Sequence, residues 1–466
     1  MAAGAITFDK FDLGIDRRKG ASVSDANRLL EMKNAYVTTG LATQKRPGLV
    51  KVTTLEPGTK GLFAGLGVLN TFYSQTNVTH ADPRFKAHKV EIPLSPVPLA
   101  EVWFADVFNG AIYVSVEYED GRVWHHYLDG TTPTYIEDAQ NPSAKAVIKM
   151  ASKIFAVHND TVRYCATNKP RDWSTANDAG FLPTGLNMQG DRTANALGDY
   201  QGNLVVMARD GLQVWNVDPD PSAMKLAPNG KVPNVGTSYP RSVANVSGDL
   251  YFLSDFGFRS ITTLQYTNNL ADVDVGSPID SLVVPDIRQA NAVPKAFFHY
   301  GTGQYICVIG SILYVYSVSR TAKIAAWSRY YIPFQVDAFA ELNGELYFRN
   351  GDDIYRFTAD AHDDAGTPFE VLLQLPYMDL KAPGQMKRIF GADIVMEGEC
   401  TFSVAFDVRN PDAYTPPVRV RGNTRPGGVI PVECSGTEFS LIFRNLSSKP
   451  FRLDAVTLYF ESLGAI

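Results

Sequence analysis

Short apolar runs, each opened by a small residue, recur along most of the chain. The clearest is GNLVVMARDGLQVW, from Gly202 to Trp215, where Leu204 to Met207 form one apolar run, Asp210-Gly211 a turn and Leu212 to Trp215 the return. An Asp-Gly pair between apolar runs is a strong hairpin signal. The same opening, a small residue followed by a spacer and an aliphatic or aromatic pair, appears at Gly110, Ser152, Gly248, Gly303 and Gly344, with a weaker copy at Gly67. These positions are spaced by roughly 40 to 50 residues with no helical interlude, the spacing of four-stranded propeller blades. One small twisted sheet cannot hide both faces, whereas sheets stacked around a closed ring can. The pattern predicts an all-β protein built on a six- or seven-bladed β-propeller over residues 56–360.

The flanks read differently. Residues 1–55 are expected to form an N-terminal arm, with a strand over Ile6 to Leu13, a short amphipathic helix over Ser24 to Lys33 and two β runs around Gly40. Residues 268–294 are longer than a usual blade connection and are expected to project from the ring. After Phe357 a polar linker, rich in Asp, leads into residues 361–466, where alternation in Phe402 to Val408 and Leu453 to Phe460 gives one apolar and one polar face. That predicts a separate C-terminal β-sandwich-like domain, with strands also over Phe369 to Leu375, Arg388 to Met396, Val418 to Val420 and Phe439 to Phe443.

Composition narrows the class. A chain of 466 residues exceeds one ordinary core, and 37 Gly with 28 Pro suit a turn-rich β protein. No apolar run reaches the length of a membrane-spanning helix. The opening MAAGAITFDKFD lacks a basic start, so a secretion signal is not expected. A net charge of −6 supplies no global field for gripping nucleic acid. Cys165, Cys307, Cys400 and Cys434 have no C-x-x-C spacing and read as small core residues.

Candidate chemistry is sparse. His125 and His126 adjoin on one strand, so they point to opposite faces and cannot chelate one ion together. His80, His88, His158, His299 and His362 show no metal-ligand spacing. Asp218, Asp220, Asp352, Asp353, Asp360, Asp363 and Asp364 read as solvated turn acids, and neither a calcium loop nor a nucleophile elbow is present. No catalytic residue, metal or cofactor is expected. Trp173 reads as a residue packing one blade against the next, and Arg17-Arg18-Lys19 and Lys45-Arg46 as surface or interface charges. Arg419 and Arg421 share one strand face with Arg425 in the turn beyond, so three guanidiniums are expected to meet a subunit's carboxylates or passing phosphates.

One order of features resembles a known family. Charged turns, a short helix, Asn34, a turn at Gly40 and then Lys45-Arg46-Pro47-Gly48 resemble the N-termini of nozzle and tail-hub proteins of short-tailed bacteriophages, the podoviruses. The turn Asn168 to Ser174, the segment Ala179 to Gly185, the Gly202 hairpin and the terminal run Arg452 to Phe460 follow in the same family's order. The likeness covers about two thirds of the chain as a pattern and rests on order, not on a single motif. It implies a structural virion protein: a homohexameric ring below the head-to-tail adaptor, conducting genomic DNA during ejection and holding tail fibres or spikes. Two other classes remain open, a propeller glycoside hydrolase, which needs paired acids at the ring centre, and a carbohydrate- or receptor-binding propeller.

Overall fold

The computed structural model describes residues 3–93, 97–188, 190, 192–262, 274–290, 292–425 and 427–465. Seven small sheets follow one another: blade 1 (Lys60–Gly65, Val68–Tyr73, Phe85–Lys89), blade 2 (Leu99–Phe108, Ala111–Tyr118, Val123–Leu128), blade 3 (Val147–Met150, Lys153–His158, Thr161–Tyr164, Gly180–Leu182) and blade 4 (Ala196–Tyr200, Asn203–Met207, Gly211–Asn216, Lys225–Pro233). Blade 5 (Ala244–Val246, Asp249–Ser254, Gly257–Ser260), blade 6 (Lys295–His299, Gln304–Ile309, Ile312–Ser319, Ile324–Tyr331) and blade 7 (Ala338–Leu342, Glu345–Asn350, Asp353–Thr358) complete the series. The first strand of each blade lies innermost and touches its counterpart in the next, and blade 7 returns to blade 1. Phe297 and Phe339, with ring centroids 4.2 Å apart, join blade 6 to blade 7. Among the described residues these sheets close into a seven-bladed β-propeller.

Each small residue singled out by the repeat sits in the turn between the first and second strands of a blade. Six of these turns pair two residues of positive φ, among them Asn109-Gly110 (47° and 78°), Gln201-Gly202 (53° and 81°) and Asn343-Gly344 (55° and 79°). Positive φ at both central residues is the type I′ geometry that matches the right-handed twist of paired strands. Blade 1 departs from the meander, because its third strand pairs parallel to the second.

The ring is closed by chain from its beginning. Gly48–Thr54 pairs antiparallel with Asp353–Thr358 and becomes the fourth, outermost strand of blade 7. Residues before it enter the C-terminal unit. One sheet there runs Ala35–Val37, Thr43–Lys45, Arg452–Ala465, Gln385–Glu397, Cys434–Gly436, with Ala3–Phe8 also on Arg452–Ala465. The second runs Glu31–Lys33, Val371–Gln374, Ser440–Asn445, Glu399–Ala405, Val418–Arg421, and Glu31–Lys33 also bridges to the outermost strand of blade 6. The two sheets enclose Met32, Val371, Ile394, Phe402, Phe443 and Val456, in a core continuous with Tyr314 and Trp327 of blade 6.

One local expectation is corrected. No helix forms over Ser24 to Lys33: the segment turns, then enters the strand Glu31–Lys33. Its backbone donors are spent on distant partners, Leu29 N on Gly14 O and Leu30 N on Gln374 O, instead of on the preceding helical turn. Of the expected projection over 268–294, residues 268–273 and 291 lie outside the described residues. From 274 onward the chain folds back, and the helix Asp280–Gln289 buries Val283 completely. Asp286 accepts from the Tyr314 hydroxyl of blade 6 at 2.5 Å, and Arg259 of blade 5 holds Asp280 at 3.1 Å.

Candidate functional site

Innermost strands from all seven blades converge on a cavity of about 500 Å³ along the propeller axis. Its walls combine apolar side chains, among them Leu62, Val102, Phe104, Ile148, Ala296 and Phe339, with the charged residues Glu101, Lys145, Asp199, Arg241, Lys295 and Asp337. Leu99–Phe108, the inner strand of blade 2, supplies Glu101 and Trp103. Trp103 Nε1 donates to Glu117 at 2.8 Å, and Lys145 of blade 3 donates to the other oxygen of Glu117, also at 2.8 Å. Lys145 Nζ lies 4.6 Å and Arg241 Cζ 4.4 Å from the centre of the Trp103 ring.

Arg241 crosses the axis. It sits in the turn before the inner strand of blade 5, yet it donates to the Val102 carbonyl of blade 2 and lies 3.4 Å from Glu101. Lys295 of blade 6 also faces Glu101, at 3.5 Å, and donates to the Asp337 carbonyl of blade 7. Burial lowers the pKa of Arg241, and burial followed by the adjacent Arg241 charge lowers that of Lys295. These contacts tie blades 2, 5, 6 and 7 together across the cavity. Glu101 and Glu117 both face cations, and cations lie over the Trp103 ring.

The sequence-derived candidates fall elsewhere. Arg419 and Arg421 are exposed on the edge strand Val418–Arg421, and Arg419 donates to Glu399 at 2.7 Å. Arg425 diverges from them and donates to the Thr457 hydroxyl on the other sheet. The geometry joins Arg419 with Arg421 and separates Arg425.

His125 and His126 are both buried, bonded to the Tyr113 hydroxyl at 2.7 Å and the Tyr118 hydroxyl at 3.1 Å. Trp173 packs against His125 between blades 2 and 3, with ring centroids 6.3 Å apart. Cys165, Cys307 and Cys400 are buried, Cys434 is half-buried, and all four are free thiols.

Lys45 and Arg46 do not behave as surface charges. Both are buried, Lys45 donating to Asn445 at 3.1 Å and Arg46 paired with Asp364. Asp364 is therefore no solvated turn acid either. The other acids hold turns: Asp218 accepts from Asp220 N at 2.9 Å, Asp220 from Ser222 N at 2.9 Å, and Asp363 from Gly366 N at 2.9 Å. No signal in the sequence marks Arg241, Glu101 or Lys295, since only ring closure brings them together. Among the described residues no group of three or more His, Cys, Asp or Glu is arranged to hold a metal ion, and no helix is long and apolar enough to cross a membrane.

No protein family and no curated protein matches the chain. Solved structures with a similar course include one described as the crystal structure of a mitotic checkpoint complex, at 10% identity over 76% of this chain and 91% of that one, with a TM-score of 0.33. Another is the Neurospora crassa Pan2 WD40 domain, at 9% identity over 70% of this chain and 89% of that one, with a TM-score of 0.36. The class defined by the sheet order and axial closure is a seven-bladed propeller stitched to a two-sheet sandwich.

Proposed function

We propose that the protein is a structural component of a short-tailed phage virion, the nozzle or tail hub. Six copies form a ring beneath the head-to-tail adaptor, genomic DNA passes through during ejection, and the outer surface carries fibres or spikes. The observation that supports this reading is where the family-like residues fall. Lys45-Arg46-Pro47-Gly48 lies at the joint between sandwich and propeller, with Arg46 buried against Asp364 and Gly48 starting the closing strand of blade 7. The run Arg452 to Phe460 is the strand that Ala3–Phe8, Thr43–Lys45 and Gln385–Glu397 all pair with. These are architectural positions, away from the axial cavity.

The conduit in this reading lies between copies, because Arg241 and Trp103 obstruct the propeller's own axis. A lumen lined by neutral and acidic side chains lets DNA slide without the phosphate contacts that give tight binding. Six identical subunits in cyclic symmetry need a heterologous interface, one patch meeting a different patch on the neighbour.

Mass measurement in solution with the adaptor ring present tests the proposal. The expected species contains six copies of the 51.2 kDa chain. A chain that stays monomeric beside the adaptor and cleaves glycans would overturn it in favour of the hydrolase class.

A further inference from the structure

We infer that the axial cavity is a binding site for a small oxyanion, held by Arg241 and Lys295. Both cations are deeply buried, with side chains 13% and 11% exposed. They share a single carboxylate, Glu101, at 3.4 and 3.5 Å. Those separations exceed the 2.7–2.9 Å usual for a charge-assisted N–H···O bond. Their close hydrogen bonds go to neutral carbonyls, Val102 O and Asp337 O.

The other acids near the cavity form their close hydrogen bonds with other donors, Asp199 with the Gly202 amide at 2.9 Å. Glu117 is bound by Lys145 and Trp103, each at 2.8 Å. Asp337 accepts from the Gly351 amide at 2.6 Å. Arg241 and Lys295 thus converge on one carboxylate at the wall of a cavity of about 500 Å³, within the usual size of small-molecule sites. Arg241 offers the planar fork that suits a carboxylate or phosphate, and Lys295 adds a point charge. The half-exposed Lys145 marks an open approach from solvent. Phosphate and carboxylate ligands share this chemistry, and the apolar walls suit a small ligand with an apolar body.

Calorimetric titration of the full chain with inorganic phosphate and with citrate, at fixed ionic strength set by chloride, tests the site and separates the two sources. The expected result is saturable binding of one or both probes, weakened at least tenfold by Arg241→Met and by Lys295→Gln and unchanged by Arg409→Gln on the surface. Heat that chloride alone reproduces, or affinity that survives both axial substitutions, would overturn the inference. Should neither axial variant fold, hydrogen exchange on the wild-type chain decides. Probe-dependent protection of residues 99–108 and 240–246 supports the site, and protection confined to other segments defeats it.

Discussion

Arg46 and Asp364, separated by most of the chain, form a bidentate ion pair in the interior, with Nη1 to Oδ1 at 2.9 Å and Nη2 to Oδ2 at 2.6 Å. Arg46 also donates to Asn34 at 3.1 Å and to the Tyr331 carbonyl at 2.9 Å, and its guanidinium carbon lies 3.7 Å from the centre of the Phe369 ring. One side chain thereby touches the sandwich, the outermost strand of blade 6 and the linker out of blade 7. Removing one member of a buried pair strands the other charge, at a cost of about 3–5 kcal/mol. Asp364→Ala is expected to lower the unfolding free energy obtained from urea titration by that much. Replacing both partners with apolar residues, Arg46→Met with Asp364→Leu, should recover most of the loss. A single substitution with no measurable effect would show that the pair does not hold the joint.

Turn chemistry predicts two opposite changes. In blade 3 the turn uses Ala151 and Ser152 at φ of 47° and 57°, where five others use Gly second. Left-handed backbone costs a non-glycine residue roughly 1–2 kcal/mol, so Ser152→Gly should stabilise by about 0.5–1 kcal/mol after the added chain entropy of glycine. Gly202, at φ 81°, has nothing within 4 Å of a built Cβ, so Gly202→Ala is strained by its backbone alone and should lose about 1 kcal/mol. Thermal melts of the two variants beside wild type check both signs.

The contrast between those turns and the axis explains what could be read from the chain. The seven hairpins were legible because each is local: strand, short turn, strand, with six of the seven turns made of two positive-φ residues that select small side chains. Six of the seven strands after residue 361, all but Cys434–Gly436, were legible for a related reason, since alternation reports a one-sided sheet without naming its partner. Long-range closure left no such trace. Nothing about Gly48 to Thr54 distinguishes an outer strand of blade 7 from an independent run, and Lys45-Arg46 carries charge, which in sequence reads as surface. Ser24 to Lys33 satisfied helical spacing, yet Gly14 and Gln374 capture its backbone. Arg241 was invisible because its partners, Glu101 and Val102, lie in a blade three places away around the ring.

The paired histidines give the molecule an acid-sensitive core. Burial depresses His125 to about 4, and burial with the His125 and Arg171 charges depresses His126 to about 3. In the unfolded chain both titrate near the usual 6.5. Between roughly pH 6.5 and 4 the unfolded state binds more protons, so stability is full above 6.5 and falls as pH drops through that window. Each histidine contributes a slope of up to about 1.4 kcal/mol per pH unit. Urea unfolding between pH 7 and 5, above most carboxylate titration, should show the decline, and His126→Gln should reduce its slope. An equally steep profile in the variant would assign the acid sensitivity to other groups.

Arg419 and Arg421 offer a way to separate assembly from folding. They occupy the outer edge strand of the sandwich, where charged side chains blunt an open row of backbone groups. The ion pair of Arg419 with Glu399 is solvent-exposed, and such pairs contribute little to stability. Reversing both charges, Arg419→Glu with Arg421→Glu, is therefore expected to leave the melting temperature of the isolated chain where it is. If this edge meets carboxylates of a neighbouring copy in the proposed ring, the same change puts like charges in contact, which costs several kcal/mol at an interface. The hexamer should then be lost while the monomer stays folded, read by mass in solution with the adaptor ring. Arg425→Glu acts differently, because Arg425 faces Thr457 within its own sandwich. It should lower monomer stability and affect the ring only through that loss. An intact ring after the double reversal would move the subunit contact away from this edge.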